Sequence, residues 1–126
     1  MKRPIRPVGV APPAAAYELA MLTEGTRTLH TSGIVGTRPD GTTPDDIERQ
    51  VAEVWRTIGI LLEEAAMSVT DIISVVTYVV AGQELGAVMA ARDSFMDGHL
   101  STSTLVSVSS LARPEWLVEI AVVASA

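Results

Sequence analysis

Asp71-Ile72-Ile73-Ser74-Val75-Val76-Thr77-Tyr78-Val79-Val80 is the stretch that decides the fold. It is β-branched and almost continuously apolar, which is the pattern of a strand with neighbours on both edges. Upstream, Thr43-Pro44-Asp45 opens a helix, with proline and acids where helix starts prefer them. Ile47, Val51, Val54, Ile58, Leu61, Leu62 and Ala65 then recur with a 3.6-residue period and give that helix one buried face. Gly59 lies inside it at a cost of about 1 kcal/mol relative to alanine, and a close packing contact is the simplest reason expected for it. Downstream, Glu84 to Met96 returns to a helical pattern with Leu85, Val88, Met89 and Phe95. Thr102 to Ser110 and Leu117 to Ala124 read as strands separated by Arg113-Pro114. Before the first helix, Tyr17 to Thr23 and Arg27 to Ser32 read as two strands joined at Glu24-Gly25, which predicts a hairpin. The order is ββαβαββ, an α+β domain with a mixed sheet and two helices on one face.

One domain over residues 1–126 fits the length. Hydrophobic residues make up 48% of the chain, which argues against disorder. There is no cysteine, so disulfides and thiolate metal sites are excluded. His30 and His99 lie far apart with no ligand spacing, and neither a metal nor an organic cofactor is expected. Met1 to Pro13 has charge and proline but no continuous apolar run, so it does not read as a signal peptide. No apolar run nears the roughly 20 residues that span a bilayer. The expectation is a cytoplasmic protein without a membrane partner. The formal net charge of −6 and the single Phe and two Tyr argue against nucleic acid as a partner. Lys2, Arg3 and Arg6 form a small basic cluster that reads as a solvated tail.

Several local sequences carry a resemblance. Tyr17 follows an alanine-rich segment. Thr31-Ser32-Gly33 closes the second strand, and Gln50 lies early in the first helix. Leu61-Leu62-Glu63-Glu64-Ala65-Ala66 precedes Val69-Thr70-Asp71-Ile72. Phe95 stands in the second helix. Val106-Ser107-Val108 with Leu111, and Val118-Glu119-Ile120-Ala121, form the closing strand pair. In this order and spacing the chain resembles the Rid family, the YjgF-type reactive-intermediate deaminases, over nearly its whole length. The resemblance implies a chorismate-mutase-like fold and a homotrimer with clefts between subunits. It implies hydrolysis of enamines and imines to ketones and ammonia. In that family an arginine holds the substrate carboxylate bidentately, while a glutamate and a backbone carbonyl position water.

The chain departs from that pattern where the chemistry lies. Ser101-Thr102-Ser103-Thr104 stands at the family's proline-alanine-arginine-serine segment, so Ser103 replaces the arginine. Ala121 replaces the last-strand glutamate, and Met89 and Arg92 replace the helix-two asparagine and tyrosine. Glu119 shares a strand face with Ala121 and lies about 6.6 Å from it along the strand. It is the candidate catalytic residue, with a structural carboxylate as the plainer reading. The candidate substrate-binding residues are Tyr17, Ser32, Gly33, Ser103, Ser107 and Arg92. Each also has a plain structural reading: half-buried packing for Tyr17, strand-end geometry for Ser32 and Gly33, and a hydroxyl-rich strand face shared by Ser103, Ser107 and Ser109. Arg92, near a helix end, and Arg113, in a loop, either restore the lost positive charge or stay solvated. The expected function is hydrolysis of a small imine, enamine or related unsaturated metabolite at subunit boundaries. The alternative is a non-catalytic trimeric module that binds a small metabolite.

Overall fold

A computed structural model describes residues Met1–Ala126. The elements in chain order are β1 (Lys2–Pro4), β2 (Met21–Thr23), β3 (Thr28–His30), β4 (Ile34–Val35), α1 (Ile47–Glu64), β5 (Ile72–Val80), α2 (Leu85–Met96), β6 (Thr102–Val108) and β7 (Val118–Ser125). The main sheet runs β3-β7-β5-β6, and β4 also pairs with β7. β5 is parallel to β6 and antiparallel to β7. The apolar stretch that fixes the fold therefore has a neighbour on each edge, as its composition predicts. Helices on one face of a mixed sheet make this the expected α+β arrangement.

Alternation sets the two faces of the sheet. Val75, Thr77 and Val79 on β5 and Val118, Ile120 and Val122 on β7 are buried under the helices. Val76, Tyr78 and Val80, with Ala121 and Val123, point the other way and stay partly exposed. α1 buries Ile47, Val51, Val54, Trp55, Ile58 and Leu62. Asp46 caps it, its carboxylate accepting the Arg49 N–H at 2.8 Å. Removing a fully buried side chain such as Ile58 or Ile120 to alanine costs about 2–5 kcal/mol.

Gln50 is fully buried on α1. Its amide nitrogen donates to the carbonyls of Pro44 and Glu115, both at 2.8 Å, and its oxygen accepts the Leu117 N–H at 2.9 Å. It ties the start of α1 to the approach to β7. Gly36 lets the chain after β4 lie against this point, since a Cβ there would meet the Gln50 Cα and carbonyl oxygen at 2.7 Å.

The expected hairpin does not form. The strand in the Tyr17–Thr23 stretch is only Met21–Thr23, and it pairs with β1 rather than with β3. β3 pairs with β7, which places Leu29 opposite the buried Ala124 and covers the outer edge of β7. A three-residue hairpin would bury little by itself, whereas this pairing protects a sheet edge and adds to the core. The basic N-terminus is also not a free tail. Lys2 pairs with Asp71 at 3.2 Å and donates to the Ser125 carbonyl at 2.8 Å, while Arg6 pairs with Glu18. The close contact expected at Gly59 is absent: a Cβ there would lie 3.5 Å from the Phe95 ring, an ordinary distance. Phe95 instead stacks on Trp55 at 4.6 Å.

Candidate functional site

The candidate residues fall into two groups. The first lies on the uncovered face of the sheet. Glu119 on β7 pairs across the strands with Tyr78 on one side and Val35 on the other. Cross-strand partners share a face, so the carboxylate, the phenol and an apolar side chain stand side by side. Gly33 makes room for the acid: a Cβ at that position would fall 2.1 Å from Oε2 of Glu119. Ser32, next to it, is exposed. Tyr78 was not among the residues singled out from the sequence. Its signal was available, as the one hydroxyl-bearing aromatic in an apolar strand.

The second group gathers where β6 begins. Ser103 pairs with the buried Val75, so its side chain faces the helices. Arg92 on α2 reaches across, Nη1 donating to Ser103 Oγ at 3.1 Å. That leaves the Ser103 hydroxyl proton free to donate elsewhere. Arg92 is only 6% exposed. Its nearest acid is Asp93, its own neighbour and about half exposed, whose Oδ1 accepts from Nε at 3.0 Å and also lies 3.0 Å from the buried Nη2, outside hydrogen-bond geometry. The solvated alternative for Arg92 is thus overturned, because packing of α2 on the sheet encloses it. Arg113 is the solvated one, exposed in its loop and lying over the Trp116 ring at 5.4 Å. Ser107 shares the face of Ser103 but is exposed, and Ser109 lies beyond the end of β6.

Tyr17 belongs beside the second group. The Glu18 N–H donates to the Ser101 carbonyl at 2.8 Å, and Glu18 forms a parallel bridge with Thr102. The Tyr17 hydroxyl accepts the Ala14 N–H at 3.2 Å. Its ring lines a cleft of about 470 Å³ between the N-terminal segment and Leu100.

Within one chain the two groups do not meet. β5 lies between β7 and β6, so the separation is about 10 Å across the sheet. Glu119 and Ser103 also point to opposite faces. Nowhere do three histidine or carboxylate side chains converge closely enough to hold a metal ion, and no helix is long and apolar enough to cross a membrane.

The family model described as Endoribonuclease L-PSP matches residues 8–126. The chain belongs to that family, the YjgF or Rid family. Among solved structures, one similar fold is YyfB from Yersinia pestis, of the conserved Rid protein family. It is 27% identical with a TM-score of 0.89, the match covering 99% of this chain and 98% of that one. Rv2704 from Mycobacterium tuberculosis, of the YjgF/YER057c/UK114 family, is 24% identical with a TM-score of 0.70, covering 90% and 89%. TdcF from E. coli, solved with bound serine, is 20% identical with a TM-score of 0.73, covering 98% of both chains. The last two likenesses concern the fold alone. Rid membership agrees with the expectation drawn from the local sequences, including the order of the strands and helices.

Proposed function

We propose that this Rid-family chain assembles as a homotrimer and hydrolyses a small imine or enamine in clefts between subunits, with Glu119 directing the water. The observation that carries this is the seat of Glu119. Its carboxylate occupies the space over Gly33, beside Tyr78, on the sheet face that nothing in the chain covers. That face is rich in Val76, Val106, Val108, Ala121 and Val123. An apolar sheet face of this kind is normally covered, and a second and third copy would cover it. In the reaction, an enamine first taking a proton at its β-carbon to become the iminium, a carboxylate accepts a proton from water as the oxygen attacks the C=N carbon and the π pair moves to nitrogen. The carboxylate returns that proton to nitrogen, the C–N bond breaks as the hydroxyl loses its proton, and the carbonyl compound and ammonia leave. Ser103 in place of arginine points to a substrate that does not dock through an α-carboxylate.

A second reading, a non-catalytic trimeric binding module, draws support from one feature. The Arg92–Ser103 cation and the Glu119 acid lie on opposite faces of the sheet. Light scattering at micromolar concentration tests assembly, and a monomer would remove the cleft from both readings. Generating a panel of imines in situ and following carbonyl formation tests catalysis. Turnover that falls at least tenfold in Glu119→Gln supports the enzyme. Ligand binding by the wild type without turnover favours the binding module. RNA is not the expected substrate despite the family's name. At −6 net charge the chain should show no salt-sensitive RNA affinity at about 150 mM salt.

A further inference from the structure

The largest cleft of the chain lies away from Glu119. It has a volume of about 470 Å³, within the range of small-molecule sites, and most of its wall is apolar. Ile5, Val10, Pro12, Tyr17, Leu19 and Leu100 supply that surface. Val10, Leu19 and Leu100 are exposed although large and apolar. One charged group is built into the wall: Glu18, only 6% exposed. A carboxylate so far from water requires a cation.

Arg6 supplies that cation from an insecure position. Its Nε donates to Oε1 of Glu18 at 3.0 Å and its Nη2 donates to Oε2, but its own side chain is 68% exposed. The segment that follows it, residues 7–12, is exposed throughout. The backbone of this region is anchored by Ile5, which donates to the Ala20 carbonyl, and next by Ala14, which donates to the Tyr17 hydroxyl. Between them lies a proline-rich span with few polar ties, the kind of segment that opens at low cost. The buried acid is therefore held against Ser101 and the first residue of β6, while its cation leads into a span with few polar ties.

We propose that this cleft is a binding site for a small organic ammonium or guanidinium compound with an apolar body. Glu18 anchors the cation, and Arg6 is an internal stand-in that the ligand displaces. The apolar body lies against Tyr17, Leu19 and Leu100, where a cation adjacent to the aromatic ring also gains from its face. The proline-rich span closes over it. An anion does not fit, because Arg6 is already engaged and the only deeply buried charge in the wall is negative. This reading does not rest on the reaction proposed at Glu119, although Tyr17 also stands among the candidate substrate-binding residues.

The test uses the full chain and phenethylammonium as probe, with 3-phenylpropionate, a carboxylate of similar shape, as control. Binding is read by calorimetry. The wild type should bind the ammonium and not the carboxylate. Glu18→Gln should weaken binding at least tenfold, the loss expected for a charged hydrogen-bonded contact. Arg6→Ala should bind several-fold more tightly, because the internal competitor is gone. Its melting temperature should rise with millimolar phenethylammonium more than that of the wild type. Arg6 is exposed, so this variant folds. Binding unchanged by Glu18→Gln, equal binding of the carboxylate, or no gain in Arg6→Ala would each overturn the proposal. The last outcome would make Arg6–Glu18 a structural clasp only.

Discussion

Arg92 Nη1 donates to Ser103 Oγ at 3.1 Å, and this bond joins α2 to the first residues of β6. It also sets a buried guanidinium against Ser103, the residue that we propose replaces the family's arginine. Its one acidic partner is Asp93, half exposed, which takes a hydrogen bond from Nε and lies 3.0 Å from Nη2 without a hydrogen bond to it. Replacing an incompletely paired buried ion with an apolar side chain of similar length is often neutral or stabilising. Arg92→Met is expected to keep or raise the urea midpoint. Ser103→Ala strips a partner from the buried cation and should lower stability by about 1–3 kcal/mol. A large loss in Arg92→Met would show that the guanidinium is better paired in solution, for example by an acid from another subunit.

The same pair bears on substrate choice. Without an arginine at Ser103, 2-iminopropionate loses a charged bidentate contact, a charged hydrogen bond being worth roughly 1.5–3 kcal/mol. At about 1.4 kcal/mol per decade this slows capture of the transition state by roughly ten- to a hundredfold. The expected result is slow ketoacid formation, roughly ten- to a hundredfold below that of a chain carrying the arginine. Ser103→Arg with Ala121→Glu should raise it only if Arg92 is also neutralised, because a second guanidinium would otherwise be forced against the first. Wild-type turnover as fast as that of a family member with the arginine would refute the proposed role of Ser103.

Two glycines make opposite predictions. Gly59→Ala adds a methyl group at ordinary distance from Phe95 and removes a flexible residue from a helix interior. It should raise stability by about 0.5–1 kcal/mol. Gly36→Ala drives a Cβ into the backbone of Gln50 and should be clearly destabilising. Thermal melts of the two variants, run side by side, read the contrast. A destabilised Gly59→Ala would mean that another surface packs against that turn of α1.

Acid should loosen the N-terminal region. The Arg6 guanidinium, hydrogen-bonded to Glu18, holds that carboxyl below the usual range, against the opposing effect of burial. The Ser68 N–H holds Asp71 low, against burial, and Lys2 adds to the effect. A lowered folded pKa means that the unfolded chain takes up protons more readily, so stability is full above the ordinary carboxylate range near pH 4. It falls as pH drops through the lower folded values. Urea midpoints at pH 7, 5, 4 and 3 should hold at the first two and decline below. Arg6→Ala should reduce the decline, and a flat profile down to pH 3 would contradict both assignments.

The sequence alone determined the body of this fold. The run from Ile72 to Val80 is too apolar for an edge, and the period from Ile47 to Leu62 admits one buried helix face, so strand, helix and layer order follow from local chemistry. Partners of short strands were not determined this way. Met21–Thr23 and Thr28–His30 look like a hairpin because they are adjacent and joined by a turn. The long edge of β7 and the N-terminal strand compete for them, and only the assembled sheet shows which pairing buries more. The site followed the same division. That Glu119 and Ala121 share a face is a matter of strand period. That Gly33 makes room for Glu119, that Tyr78 stands beside it, and that Arg92 is enclosed and bonded to Ser103 depend on register and on helix packing. No local pattern encodes these, because the contacting residues are 11 to 86 positions apart in the chain and meet only when the layers close.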